Sequence, residues 1–187
     1  MHLGSPSIRY AKALMEYALE RNTENILYEE FSILAYILKT NRDLREVLEN
    51  PLISKDKKLK LICVAVAGND SPSEDFIRSM NLVLHQKREP YLLSISLMYL
   101  DLYRQYKNIV LVKVITAISI GTEIVEKIRT QLIKELETQI MMEQIVDPSI
   151  QGGFILDLNN NYRFDASVST QLKKIRKQLI ESDAKIV

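Results

Sequence analysis

DPSIQGGFILDLNNNYRFDASVSTQLKKIRKQL, residues 147–179, is the stretch that decides the fold of the C-terminal part of the chain. Two short strand-like runs, residues 153–158 and 162–165, flank three consecutive asparagines. Asparagine tolerates a positive φ, so the triplet predicts a tight hairpin between the two runs. The two glycines at the start of the first run give the backbone freedom to enter the strand. The stretch therefore predicts a β-hairpin followed by a helix that begins near Ser167.

The final helix is predicted to be apolar on one face and basic beside it. The apolar stripe repeats at helical spacing and consists of Val168, Leu172, Ile175 and Leu179. The basic residues that fall off this stripe are Lys173, Lys174, Arg176 and Lys177. Such a basic face either docks an acidic partner or is simply solvated, and solvation is the usual fate of these faces.

Residues 1–106 show helical periodicity throughout, and residues that favour helix starts and ends separate the periodic segments. Six helices are predicted: residues 6–21, 24–39 and 42–49, one capped by Ser54, one capped by Ser73, and one that begins near Pro90. Because short loops join them, the sequence predicts an antiparallel six-helix bundle. The fourth helix is predicted to point four lysines at solvent, namely Lys55, Lys57, Lys58 and Lys60.

The first helix carries two adjacent apolar rows, where a bundle helix needs only one. One row consists of Ala11, Met15 and Ala18. The other row consists of Tyr10, Leu14 and Tyr17. The additional width indicates either a second apolar face for a partner or a central helix that is buried on two sides. Both interpretations fit the sequence.

The pattern changes at Lys107. Residues 109–118 (IVLVKVITAI) are too rich in β-branched side chains for another amphipathic helix and predict a strand. A helix over residues 122–138 and a strand over 140–146 follow, before the hairpin and the final helix. The fold is therefore expected to be mainly α with a smaller α/β part: a helical domain, residues 1–106, and a mixed-sheet domain, residues 107–187.

Composition limits the possible functions. The 187 residues carry a net charge of +1, which does not favour a dedicated nucleic-acid binder. The longest uncharged apolar run is about seven residues, whereas a membrane-spanning helix needs roughly 18–20. The single cysteine, Cys63, lies in an apolar run and is predicted to be a buried structural thiol. With no signal peptide in the sequence, the cytoplasm is the expected compartment.

No catalytic or metal-ligating pattern stands out. The two histidines, His2 and His85, have no metal-ligand spacing to cysteines or carboxylates. The Gly152-Gly153 pair lacks the following helix that a phosphate site uses. Carboxylates are scattered, so no general acid–base pair is indicated. The sequence predicts no enzyme, no metal and no cofactor, which leaves surfaces that bind other proteins.

Three segments match a known family in the same order along the chain. They are RYAKAL at residues 9–14, NPLISKDKK at 50–58, and a C-terminal signature: Gly152-Gly153, DASV at 165–168, and Leu172. Together they resemble the delta subunit of the bacterial F-type ATP synthase, related to the mitochondrial oligomycin-sensitivity-conferring protein. The asparagine triplet departs from that family, which more often has a glycine-containing turn there.

The resemblance implies a non-catalytic stator subunit of the proton-translocating synthase, which resists rotor torque at the cytoplasmic face of the bacterial plasma (inner) membrane. The helical domain would bind alpha subunits of the catalytic head, with beta as a further candidate, through its first and fifth helices. Carried over by position, that surface comprises Tyr10, Ala13, Leu14, Tyr17, Ser79 and Val83. The C-terminal domain would bind the b subunits of the peripheral stalk, with Lys173, Lys174, Arg176 and Lys177 as candidate contacts.

Two alternatives from other classes are considered. An RNA-binding module would use the basic C-terminal helix, but the near-neutral net charge and the absence of aromatic stacking motifs on strands oppose it. A small enzyme would require a catalytic constellation that the sequence lacks.

Overall fold

The computed structural model describes residues 6–68, 70–136, 138–159 and 162–183, without the side chains of residues 136 and 178–183. Ser5, which precedes the first predicted helix, and most of the asparagine turn lie outside these residues, as does the side chain of Leu179. The chain divides into two compact units, residues 1–106 and 107–187. It is mainly helical, with one small mixed sheet in the second unit.

The first unit contains six α-helices within the described residues. They are α1 (Pro6–Arg21), α2 (Glu24–Thr40), α3 (Arg42–Glu49), α4 (Lys55–Ala67), α5 (Glu74–His85) and α6 (Leu92–Tyr106). A single 3-10 turn, Glu89–Tyr91, leads into α6. Ser73 caps α5 by accepting a hydrogen bond from the backbone N–H of Phe76 at 3.2 Å, as predicted. Ser54 precedes α4, but its side chain makes no capping hydrogen bond.

Aromatic side chains from three helices meet in the core of this unit. Phe31 of α2 contacts Phe76 of α5 edge-on, with ring centroids 5.5 Å apart. It also contacts Tyr99 of α6, with ring centroids 4.6 Å apart. All three rings are fully buried, and each burial of this size contributes a few kcal/mol, about 1.5–3, to folding. This aromatic cluster joins elements that are distant in sequence.

Several sequence predictions about burial are wrong in detail. Lys58 does not face solvent with its lysine neighbours; it is buried and pairs with Glu89 at 2.8 Å. The opposite charge of Glu89 offsets the hydration that the Lys58 ammonium group loses on burial. Cys63 is half-buried rather than fully buried, and burial raises the pKa of its thiol.

The second unit contains a four-stranded sheet with the order β2-β1-β3-β4. Its elements are β1 (Ile109–Thr116), α7 (Thr122–Leu136), β2 (Gln139–Val146), β3 (Phe154–Leu158), β4 (Tyr162–Asp165) and α8 (Val168–Asp183). The α7 crossover makes β1 and β2 parallel, and the other two pairings are antiparallel. A 3-10 turn, Pro148–Ile150, precedes β3.

The two faces of this sheet differ in chemistry. One face buries Val112, Val114 and Ile140 and packs against Leu132 of α7. The opposite face has a charged row in register across all four strands: Glu143, Lys113, Asp157 and Arg163. Because side chains alternate along a strand, this row occupies the face away from the apolar cluster.

The hairpin and its flanks use residues that suit their backbone conformations. Asn159 has φ 51°, and its side chain accepts a hydrogen bond from the backbone N–H of Leu111 at 2.8 Å. Gly153 has φ 72°, and a Cβ atom there would lie 2.3 Å from the carbonyl oxygen of Ala166. Ser167 caps α8 by accepting from the N–H of Thr170 at 3.2 Å. These contacts connect the signature glycines to the segment that starts the last helix.

Candidate protein-binding site

The described residues contain no group of three or more histidines, cysteines or carboxylates that is close enough to hold a metal ion. Across the same part of the chain, no helix combines the length and the apolarity that a bilayer span requires. The features that remain are surfaces, and two of them coincide with the surfaces that the sequence singled out.

The first surface is a groove between α1 and α5, with a volume of about 240 Å³. Tyr10, Ala13 and Leu82 supply an apolar centre to it. Its further lining residues are Pro6, Arg9 and Arg88. On α1 these positions are three, four and seven residues apart, so they lie on one side of the helix. The groove therefore offers an apolar strip of the kind in which an amphipathic helix can lie.

The structure brings only part of the predicted alpha-binding set to this groove. Tyr10 and Ala13 line it, and Tyr17 is half-buried one turn beyond the lining. Leu14, Ser79 and Val83 are buried instead, and the Ser79 hydroxyl donates to the backbone carbonyl of Asp75 at 2.7 Å. A partner lying on this surface would not reach these three side chains, because each of them is buried within the unit.

Sequence reasoning missed Arg9, Leu82 and Arg88 as lining residues. Arg9 and Leu82 occupy positions next to the predicted ones on the same helices, shifted toward solvent by one residue. Arg88 lies beyond the end of α5, where helical periodicity gives no signal. Arg9 is a charged residue directly before the apolar row that begins at Tyr10. This change from charged to apolar could have indicated the edge of the groove.

A polar network joins the far ends of the same two helices. The Tyr17 hydroxyl donates a hydrogen bond to Asp75 Oδ1 at 2.6 Å, and Arg21 Nε lies 2.8 Å from the same oxygen. The Arg21 guanidinium also stacks 5.7 Å from the centre of the Tyr17 ring. Arg78 approaches Asp75 Oδ1 at 3.8 Å. The network fixes the end of α1 against the start of α5.

Asp75 is buried, and its hydrogen bond from Tyr17 holds the pKa of its carboxyl below the ordinary value of 3.8, with Arg21 adding to the effect against the opposing effect of burial. A group with a lowered pKa stabilises the fold above its ordinary pKa, and this contribution is lost as the pH falls through the lowered value. We expect Asp75→Asn to cost about 1–3 kcal/mol near neutral pH, because hydrogen bonds to the charged group are weakened. Urea unfolding followed by circular dichroism measures this cost.

Urea unfolding over a series of pH values tests whether the ionised Asp75 carboxylate is the stabilising group. The difference between the unmodified protein and Asp75→Asn should be constant at neutral pH and should shrink as the pH falls below 3.8. Glu74→Gln is the matched control, because Glu74 is the neighbouring carboxylate and is exposed. A difference that persists unchanged into strong acid would show that the Asp75 carboxylate is not the stabilising group.

The second surface is the exposed side of α8. The apolar residues of its stripe are not covered: Leu172 and Ile175 are each 53% exposed, and Val168 is 38% exposed. The four basic residues beside them are exposed as well: Lys173, Lys174, Arg176 and Lys177. The helix therefore presents apolar and basic side chains together, which is typical of a face that binds a partner.

The start of α8 is held rigidly against the hairpin. Asp165 accepts from the backbone N–H of Ser167 at 2.9 Å and from the Thr170 hydroxyl at 3.0 Å. The hydrogen bonds from Ser167 hold the pKa of the Asp165 carboxyl below its usual range. The first turn of the helix is thus anchored by the residues of the DASV segment.

Three aromatic side chains extend the exposed apolar surface of this unit. Phe154 of β3 lies 6.1 Å from Phe164 of β4, measured between ring centroids, and both are exposed together with Tyr162. Strand pairing places Phe164 beside Leu156, on the sheet face that packs against α7.

The chain was compared with known proteins. A family model described as "ATP synthase delta (OSCP) subunit" matches residues 7–179. A protein named "ATP synthase subunit delta" from Bacteroides thetaiotaomicron is 47% identical over 187 residues, covering 100% of both chains. One with the same name from Lactobacillus johnsonii is 30% identical over 175 residues, covering 93% of this chain and 94% of its own.

The fold also matches a solved structure. A chain in the cryo-EM structure of the Toxoplasma gondii mitochondrial ATP synthase hexamer superposes with a TM-score of 0.75. The match covers 94% of this chain and 98% of the other at 20% sequence identity. At that identity, the likeness concerns the fold alone.

Proposed function

Because this chain belongs to the ATP synthase delta (OSCP) subunit family, its role is that of a stator subunit in the F-type ATP synthase, and we propose which of its surfaces bind the neighbouring subunits. The six helices of residues 1–106 form the bundle that binds the catalytic head. Residues 107–187 bind the peripheral stalk. The protein has no catalytic residues of its own and works at the cytoplasmic face of the inner membrane.

The α1–α5 groove is proposed to bind the N-terminal helical segment of an alpha subunit. The observation that carries this proposal is the apolar centre of the groove, in which Tyr10, Ala13 and Leu82 are open to a partner. Leu14, Ser79 and Val83 support this surface from below without contacting the partner, because they are buried. Tyr17 holds the far end of the groove together through Asp75. Contacts to beta subunits, which are also part of the head, are assigned to the same unit, residues 1–106.

The exposed side of α8 is proposed to bind the b subunits. Leu172 and Ile175 supply apolar contact area that the unit itself does not cover. Lys173, Lys174, Arg176 and Lys177 flank that area and attract acidic side chains. Their charge speeds and orients docking more than it strengthens the complex. The relatives are ATP synthase subunits, and they give no support to the RNA-binding alternative.

A pair of variants tests both surfaces in one experiment. Ala13→Glu places a charge at the centre of the groove, and Ile175→Asp places one in the exposed stripe of α8. Both residues are exposed, so the fold should be preserved. We expect each variant to weaken its own interaction by roughly 30-fold, or about 2 kcal/mol, because a partner would bury an unpaired charge.

Titration calorimetry measures the two affinities, with a synthetic peptide of the alpha N-terminal segment and the purified hydrophilic part of b, both from the same synthase. Each variant is the control for the other: Ala13→Glu should bind b normally, and Ile175→Asp should bind the peptide normally. Ser32→Glu on α2 adds the same charge at an exposed position away from the groove. An unchanged peptide affinity in Ala13→Glu would exclude the groove as the alpha site.

A further inference from the structure

The two ends of the α1–α5 groove have different charges. At one end, the start of α1 lies beside the end of α5, and Arg9 and Arg88 border the apolar centre. At the other end, α1 finishes beside the start of α5, where Arg21 pairs with Asp75. The groove therefore has a direction along which its electrostatic character changes.

The two arginines at the first end have no acidic partner within the part of the chain that the structure describes. Both Arg9 and Arg88 are exposed, and no ion pair involves either of them. Arg78, at the other end, pairs with Glu74 at 3.3 Å and approaches Asp75 as well. This end is the better site for a carboxylate.

The exposed edge of α1 reverses sign along its length. Glu16 and Glu20 follow Ala13 at spacings of three and seven residues, so they continue the solvent edge of the groove. Both are exposed, and neither forms an ion pair with another described residue. The edge therefore changes from a guanidinium at Arg9 to carboxylates about two and three turns later.

We propose that these charges select the direction in which an amphipathic helix lies in the groove. The acidic end of the partner lies over Arg9 and Arg88, and its basic end lies beside Glu16 and Glu20. The apolar centre alone would accept a helix in either direction. This inference rests on the proposed function of the groove and adds a rule for the partner: its carboxylates are concentrated at one end.

The test uses a designed amphipathic helical peptide with leucines and alanines on one face, two glutamates near one end and two lysines near the other. A nitroxide label is attached at the glutamate end, and amide signals of the full-length protein are recorded by NMR. We expect the label to broaden the signals of Arg9, Leu82 and Arg88 more strongly than those of Tyr17 and Asp75, which lie about 10–12 Å further along the groove. Equal broadening at the two ends of the groove would overturn the proposal.

The variant Arg9→Glu/Arg88→Glu provides the second arm. Both positions are exposed, so the bundle should be retained. We expect its affinity for the peptide to fall about tenfold at low salt, because exposed ion pairs of this kind are individually weak. The label should then broaden the signals at both ends to a similar degree, because both ends of the groove are acidic in this variant, and the loss of affinity should disappear in high salt. Unchanged affinity and unchanged broadening would contradict the inference.

The two proposals fail in distinguishable ways. If Ala13→Glu does not weaken binding of this peptide, the groove itself is not the site. If Ala13→Glu weakens binding but Arg9→Glu/Arg88→Glu does not, the groove binds a helix without selecting its direction.

Discussion

Replacing Lys58 with alanine is expected to destabilise the helical unit by about 3–5 kcal/mol. Its ammonium group lies 2.8 Å from Glu89 Oε1, and the two side chains are only 5% and 9% exposed. The substitution removes one charge and leaves the Glu89 carboxylate buried without its partner. Because α4 and the turn before α6 meet at this pair, the loss should appear in the global unfolding transition, measured by urea denaturation and circular dichroism.

Two controls distinguish the effect of breaking the ion pair from the effect of losing a lysine side chain. Lys57→Ala removes the neighbouring lysine, which is exposed, and should change stability by no more than about 0.5 kcal/mol. The double variant Lys58→Met/Glu89→Leu replaces both charges with apolar groups and should recover most of the loss. If Lys58→Ala and Lys57→Ala were equally mild, the buried pair would not contribute as its geometry indicates.

Replacing Gly153 with alanine is expected to disrupt the hairpin of the second unit, at a cost of roughly 2–4 kcal/mol. The residue has φ 72°, a backbone angle that residues with a side chain rarely adopt. A Cβ atom would also lie 2.3 Å from the backbone carbonyl oxygen of Ala166, which cannot move away as a flexible side chain could. Amide hydrogen exchange measured by mass spectrometry should show faster exchange in β3 and β4.

Gly121→Ala is the matched control for this substitution. Gly121 lies in the same unit, its φ is not in the left-handed region, and a Cβ atom there would meet nothing within 4 Å. Its exchange pattern should match that of the unmodified protein, and exchange in α2 and α6 serves as an internal reference in both variants. Equal protection of β3 in Gly153→Ala and Gly121→Ala would mean that the close approach to Ala166 is not a constraint.

Much of the fold was predictable because it depends on local rules. Helix starts follow from residues such as Ser73 and Pro90, and the change from period 3.6 to β-branched runs marks the start of β1. These signals lie within a few neighbouring residues, so the sequence displays them directly. The boundaries of α1, α3 and β4 agree with the predicted ones to the residue.

Burial at individual positions was harder to predict because it depends on distant residues. Lys58 follows the pattern of an exposed lysine face, and only Glu89, 31 residues away, explains why it is buried. Leu14 and Val83 lie on apolar rows that could equally face a partner or the core, and the packing of the other helices decides that they face the core. Arg88 joins the groove through a turn that periodicity does not describe.

The charged row across the second sheet has a mechanical consequence. Most of the residues around it are Val, Ile and Leu, so sliding one strand past its neighbour by two residues would exchange one aliphatic side chain for another at little cost. Such a slip would, however, move Lys113 from between Glu143 and Asp157 to a position among aliphatic groups. The charged row therefore makes a shift in strand register costly, so the sheet resists sliding of one strand along another. This resistance suits a subunit that carries load against a turning rotor.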